Sequence, residues 1–259
     1  MRPFTDGYDE AFAAPGVPRP HYAGFFGALD GIDLAGLREA VNARTRAAHV
    51  TFGSGATAQP FIIDPIPRIL PAGEWAALVE GLEQRVRALN AFVADAYGER
   101  RIVEAGVMPA SVIETAQGYE PDLCGVLPPG PPSIGIAGLD IVRAPDGQLQ
   151  VLEDNVRTPS GFTYANVARE AVATEMPDGA VSADALAGPL VDLLGGVLRD
   201  AAPAGDGEPS IVVLSDGPVG SAWYEHAEAA RLLGVPVVTL DDLRHRRGEV
   251  HARLDDGTL

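Results

Sequence analysis

The stretch from Gly138 to Gly161, GLDIVRAPDGQLQVLEDNVRTPSG, decides how the rest of the chain is read. Two strand-like runs, Ile134 to Arg143 and Gln148 to Asp154, flank Ala144-Pro145-Asp146-Gly147, and an Asp-Gly pair between alternating apolar residues signals a β-hairpin. If Asp146 and Gly147 form a two-residue turn, Asp140 lies opposite Glu153 and Val142 opposite Val151. Asn155 then shares the Glu153 face, because side chains alternate with period two. A four-residue loop keeps the three on one face and slides Glu153 to the diagonal. A three-residue loop sends them to opposite faces.

Two carboxylates facing each other across a hairpin have Cβ atoms roughly 5 Å apart and repel. A hard divalent cation fits two carboxylates and an amide oxygen, and Mg²⁺ takes few protein ligands while leaving positions for water and phosphates. Asp140, Glu153 and Asn155 are therefore the candidate metal ligands. The alternative is that Arg157, two residues beyond Asn155, neutralises the pair as a structural ion pair, or that the acids are simply solvated.

Leu152-Glu153-Asp154-Asn155 followed by Arg157-Thr158-Pro159-Ser160-Gly161, after the Gly-Leu-Asp-Ile-Val-Arg strand, resembles the circularly permuted ATP-grasp proteins of type 2, which include relatives of glutathionylspermidine synthase. FIIDPIPRIL, QRVRALNAFVADAYG and SAWYEHAEAARLLGV extend the resemblance from about Phe61 to the last residue. It implies an α/β, ATP-grasp-like fold with a hairpin-bearing sheet, and an ATP- and Mg²⁺-dependent ligase. In such a ligase a carboxylate is phosphorylated by ATP and an amine displaces phosphate to give an amide, the substrates being small or peptide-borne. In the glutathionylspermidine synthase branch an Asp, a Glu and an Asn in this hairpin hold magnesium, which the resemblance carries onto Asp140, Glu153 and Asn155. That branch has an arginine two residues before the hairpin aspartate, where Gly138 stands here. Arg157 or Arg143 would have to substitute, and Arg143 faces away from Asp140's partners if the turn is tight.

Arg157 is accordingly the candidate for stabilising the transferred phosphoryl group. Thr158 to Gly161 makes a turn feeding a helix over Phe162 to Met176, whose N-terminal N–H groups and dipole favour an anion. Ser160 and Gly161 are the residues expected to orient the bound substrate there. The plain alternative is a helix cap by Ser160 or Thr163.

Composition bounds the function. The chain has 259 residues and a net charge of −17, and all 19 of its basic residues are arginine. Such a balance disfavours nucleic acid and anionic membranes as partners, since neither finds a concentrated basic surface. No apolar run approaches the ~18 residues of a membrane helix, and Met1 to Phe12 carries Asp6, Asp9 and Glu10 where a signal peptide has a basic end and an apolar stretch. A single cysteine, Cys124, excludes an internal disulfide, agrees with a cytoplasmic location and reads as a packing residue.

ATP-grasp enzymes generally reach the nucleotide phosphates with lysines, and the family's glycine-rich, lysine-bearing segment lies past the point where this chain stops. Either the chain is the N-terminal portion of a longer ligase or arginines have replaced the lysines. Truncation is the preferred reading, because His251 to Leu259 reads as a strand running into a turn. The competing functional class is a truncated, non-catalytic module that binds a metabolite or a partner chain, the missing C-terminal half among them.

Along the chain, residues 1–60 read as an arm anchored by Tyr8, Phe12, Tyr22, Phe25 and Phe26, with a helix from Asp33 to His49 carrying Leu34, Leu37 and Val41 on one face. Phe52-Gly53-Ser54-Gly55-Ala56 is a connector rather than a P-loop. Residues 61–200 form the ATP-grasp-like core. There Phe61 to Pro71 is extended and broken by prolines, and Arg68 either points into a cleft or makes a surface ion pair. Glu74 to Tyr97 is the clearest helix, with Trp75 in its core stripe and Gly98 as its stop. A turn or helix at Pro109 to Thr115 leads to Pro128-Pro129-Gly130-Pro131-Pro132, and a further helix spans Val181 to Asp200. Residues 201–259 form an incomplete βαβ lobe: Ile211 to Leu214, Ser221 to Leu233 stopped by Gly234, and Val235 to Leu240. Glu225 and His226 in its helix are assigned a scaffold role.

Overall fold

The structure is a computed structural model describing residues 7–53, 58–126, 132–178, 180, 187–202 and 207–254. In chain order its elements are β1 (Phe12–Ala14), β2 (Val17–Pro18), α1 (Pro20–Ala28), α2 (Leu34–Ala47), β3 (Thr51–Phe52), β4 (Gln59–Pro60), α3 (Ala72–Ala96), α4 (Arg101–Glu104), α5 (Ala110–Glu114), β5 (Gly138–Arg143), β6 (Leu149–Asn155), α6 (Phe162–Glu175), α7 (Ala187–Asp200), β7 (Val213–Leu214), α8 (Trp223–Leu233), β8 (Val237–Val238), β9 (Leu243–Arg246) and β10 (Glu249–Ala252). Among the described residues the strands form two-stranded sheets, antiparallel except for the parallel pair β7–β8. Residues Met1–Leu70 and Ser160–Leu259 make one compact unit, and Pro71–Pro159 makes the other. The first unit is thus discontinuous in sequence.

Of the aromatic residues expected to anchor an arm, Tyr22 and Phe25 lie in the buried cluster of the first unit, Phe26 packs against it, and Tyr8 and Phe12 are half-buried. Pro20 starts α1, and the helix spacing brings Tyr22, Phe25 and Leu29 to one face, buried with Leu37 and Val41 of α2 and Ala171 and Val172 of α6. Phe12 stacks on Phe26 with centroids 5.0 Å apart, and the Arg19 guanidinium sits 4.0 Å above the Tyr8 ring. Asp33 caps α2 by accepting from the Ala35 N–H at 3.0 Å. Leu34, in the first turn, points out rather than joining Leu37 and Val41.

Phe61 to Leu70 is extended but joins no sheet, because Pro65 and Pro67 cannot donate to a ladder. Helix side chains satisfy its backbone instead. Buried Asn42 donates Nδ2–H to the Ile63 carbonyl at 2.9 Å and accepts from the Ile63 N–H at 2.7 Å. The Tyr22 hydroxyl donates to the Pro67 carbonyl at 3.1 Å and accepts from the Ile69 N–H at 2.9 Å. The βαβ lobe has the expected parallel pair, Val213 opposite Val237, with Gly234 at the C-cap of α8. A hairpin of β9 and β10 follows, unread in the sequence because its turn is Arg247-Gly248, both with positive φ, where Asn-Gly or Asp-Gly is the usual signal.

In the second unit α3 runs a residue or two off the expected bounds at each end. Its stripe is half-buried rather than core, and Trp75 is 53% exposed. Asn90 of α3 clamps the approach to β5 as Asn42 clamps Ile63: it accepts from the Ile134 N–H at 2.8 Å and donates to the Ile134 carbonyl at 3.3 Å. Cys124 is exposed rather than packed, with Sγ 3.0 Å from the Tyr119 hydroxyl, because it follows a surface turn at Pro121–Leu123. Ser54 to Ala56, Pro128 to Pro131 and Val181 to Ala185 fall outside the described residues.

Asn42→Ala leaves the Ile63 amide and carbonyl buried and unpaired, so it destabilises the first unit by about 2–4 kcal/mol, read as a shift in urea midpoint. Asp242 accepts from the Thr239 N–H at 3.0 Å and hydroxyl at 2.8 Å and pairs with Arg253, which lowers its pKa to about 2. A depressed carboxylate contributes stability that is present above its ordinary pKa and lost as pH falls through the folded value. Amide protection at residues 239–242, measured relative to the intrinsic exchange rate at each pH, therefore falls between about pH 4 and pH 2, and Asp242→Asn abolishes that acid dependence.

Candidate functional site

The hairpin loop is neither of the two lengths that keep Asp140 and Glu153 on one face. The Ala144 N–H donates to the Gln148 carbonyl at 2.9 Å and the Gly147 N–H to the Ala144 carbonyl at 2.8 Å, which makes a three-residue loop, Pro145-Asp146-Gly147. Gly147 takes φ +88°, as the last position of such a loop requires. The pairs nearest the loop, Arg143 with Leu149, Val142 with Gln150 and Ile141 with Val151, follow this register. Val142 therefore does not face Val151.

A bulge then inserts Leu152, and the pairs beyond it are Asp140 with Glu153, Leu139 with Asp154 and Gly138 with Asn155. The two one-residue offsets cancel. Asp140 stands opposite Glu153, and Asn155 follows on the same face. Leu152 itself is 70% exposed.

The other face of the hairpin is fixed to α3 by two bidentate ion pairs. The Arg143 guanidinium, 7% exposed, donates to both Glu74 oxygens at 2.6 and 3.0 Å and also to the Gly147 carbonyl at 2.8 Å. Arg85 donates to both oxygens of Asp154 at 2.6 Å, and these bonds hold the Asp154 carboxyl below its ordinary pKa. Arg143 is thus committed away from Asp140 and does not stand in for an arginine at position 138. A side chain at Gly138 meets Pro159: a Cβ built there lies 3.0 Å from the Pro159 Cβ and 3.6 Å from the Asn155 Cβ.

On the open face Asp140 and Glu153 are exposed, and among the described residues neither makes a hydrogen bond or ion pair. Arg157 is exposed and does not neutralise them; its guanidinium lies beside Gly118, 3.7 Å from a Cβ built at that glycine. Two carboxylates and an amide oxygen form a hard donor set suited to a magnesium-sized ion. Among the described residues no group of three or more His, Cys, Asp or Glu side chains converges. The set accordingly lacks the nitrogen and sulfur ligands that zinc prefers.

Ser160 is exposed, and the Gly161 N–H is already bonded. Glu225 of α8, 6% exposed, accepts from the Gly161 N–H through both oxygens at 2.7 and 2.9 Å and from the Thr163 N–H at 3.1 Å. The anion at the start of α6 is therefore a protein carboxylate, and neither Ser160 nor Thr163 supplies the cap. The scaffold role expected of Glu225 thus takes the form of a cap on α6, which has no acidic residue in its own first turn. His226 turns the other way, its Nδ1 2.9 Å from the Ser215 hydroxyl, which also accepts from the Gly217 N–H at 3.2 Å. Beside Glu225, burial raises the Tyr164 phenol, and it pushes the neighbouring Tyr224 up to about 12.

The model of the circularly permuted ATP-grasp type 2 family matches residues 67–258. The chain belongs to this family. Among similar proteins, an uncharacterized protein of Mycobacterium tuberculosis is 34% identical over 258 residues, covering 96% of this chain and 46% of the relative. A protein of Frankia alni, named provisionally as a glutamate–cysteine ligase, is 38% identical over 276 residues, covering 98% of this chain and 32% of that one. An uncharacterized Synechocystis protein is 34% identical over 262 residues, covering 96% and 54%. The chain thus spans about half the length of the mycobacterial and cyanobacterial proteins and about a third of the Frankia protein. Its mixed α/β composition accords with the family fold, and among the described residues no helix is long and apolar enough to cross a membrane.

Glu225→Ala strips the charge-assisted bonds from the start of α6. It is expected to cost about 2–3 kcal/mol, with faster hydrogen exchange at the Gly161 and Thr163 amides, and Glu225→Gln to cost less because one oxygen remains.

Proposed function

We propose that the chain is the metal-holding portion of an ATP- and Mg²⁺-dependent carboxylate–amine ligase that forms an amide through an acyl phosphate. The observation that carries this reading is the contrast between adjacent acids on β6. Asp154 is neutralised by Arg85, whereas Glu153 and its register partner Asp140 have no counter-charge among the described residues. Family membership, ATP and Mg²⁺ being general to ATP-grasp proteins, and the ligase name given to the Frankia relative support the same reading.

Asp140, Glu153 and Asn155 would hold the ion, which when bound neutralises repulsion between nucleotide phosphates and substrate. Arg157, exposed and unpaired among the described residues, would stabilise charge on the phosphoryl group in transfer. Ser160 and Gly161 would orient the substrate, with Glu225 holding the Gly161 amide. The substrates would be small or peptide-borne carboxylates and amines, and a cytoplasmic site of action belongs to the same proposal.

The absence of lysine favours a second reading, a non-catalytic module that binds nucleotide only with the further sequence its relatives possess. Tight calorimetric binding of MgATP by these 259 residues alone counts against it.

Manganese titration followed by electron paramagnetic resonance tests the metal site. Asp140→Asn and Glu153→Gln are each expected to weaken binding by about tenfold or more, while Asp154→Asn, on the opposite face, leaves it unchanged. Equal losses for all three variants, or no bound manganese, would overturn the assignment.

A further inference from the structure

The first unit contains a cleft of about 590 Å³, within the range that small-molecule sites occupy. Ile63, Ile69 and Leu70 form one wall, and Ala168, Val172 and Ala173 of α6 form the other. The depression has a local cause. On α6 two of the four lining residues, Ala168 and Ala173, are alanines, and Asn42 and Tyr22 hold the backbone of the proline-broken segment opposite at Ile63, Pro67 and Ile69.

Three charged side chains stand at its rim: Asp64, Arg68 and Arg169. Arg68 is engaged, its Nε 2.8 Å from Glu10 Oε2, so the surface ion pair and the cleft position hold together. Asp64 accepts from the Ile66 N–H at 3.0 Å through Oδ1 and makes no ion pair among the described residues. Arg169 is exposed and, among the described residues, makes neither a hydrogen bond nor an ion pair. One uncommitted cation and one uncommitted carboxylate thus border an apolar floor. A purely anionic guest meets Asp64 and a purely cationic guest meets Arg169, so only a molecule carrying both charges satisfies the rim, and only one with an aliphatic body satisfies the floor.

We propose that this cleft binds a small zwitterion with a branched aliphatic body, an amino acid of the leucine type, with its carboxylate on Arg169 and its ammonium on Asp64. The proposal does not rest on the metal reading of the hairpin, which lies in the other unit, and loss of manganese binding leaves it untouched.

Amide chemical-shift titrations of the full chain with L-leucine, isocaproate and isoamylamine separate the contributions. Leucine is expected to bind with millimolar affinity and to shift residues 63–70 and 168–173, while each single-charge analogue binds about tenfold or more weakly. Arg169→Gln weakens leucine and isocaproate but spares isoamylamine. Asp64→Asn, which keeps the acceptor for Ile66, weakens leucine and isoamylamine but spares isocaproate. Both side chains are exposed, so the variants fold, and circular dichroism verifies it. Isocaproate binding as tightly as leucine, leucine binding indifferent to Arg169→Gln, or no shift in these segments at about 20 mM leucine each overturns the proposal.

Discussion

The disposition of charge in the second unit depends on one backbone irregularity, the bulge at Leu152. A three-residue loop alone pairs Asp140 with Leu152 and turns Glu153 toward α3, where Arg85 waits. With Leu152 set aside, Glu153 moves to the open face and Asp154 takes the place beside Arg85. Period-two alternation makes this all-or-none: every side chain beyond the bulge changes face together. Two consecutive acids on β6 thereby acquire opposite duties, one closing the contact between strand and helix and the other remaining available.

Carboxylates elsewhere are sorted by the same question of whether a donor has been provided. Glu74 and Asp154 meet arginine forks, Asp95 caps the Arg101 and Ile102 amides, Asp242 caps Thr239, and Glu225 closes the start of α6. In a chain with 36 acidic and 19 basic residues there are too few cations for every carboxylate to be paired. Asp140 and Glu153 have no donor among the described residues, and Asp64 has a backbone donor, the Ile66 N–H, but no counter-charge.

Much of this was legible in the residues. Asp146-Gly147 announced the hairpin, the stripe from Leu78 to Val93 announced α3, and Gly234 marked the end of α8. The facing of Asp140 and Glu153 was read correctly from a turn that does not form, because a bulge of ordinary strand composition leaves no trace in sequence. Helix α1 went unread since PHYAGFFGA mixes glycine with aromatics at no clear period, and its role emerges only when Tyr22 and Phe25 meet α2 and α6. Trp75 looked like core because periodicity reports a face and not what covers it. The partners of Glu225 went unread for a different reason: its two donors, the Gly161 and Thr163 amides, lie more than sixty positions away, and local patterns cannot see them.

The paired amide clamps of Asn42 on Ile63 and Asn90 on Ile134 bear on how the protein meets other chains. An extended stretch whose N–H and C=O groups are bound by a helix side chain offers no template for a foreign strand, so these apolar runs are guarded against cross-pairing and fibre growth. Open ladder edges are left to the two-stranded sheets, the short hairpins and the parallel pair β7–β8.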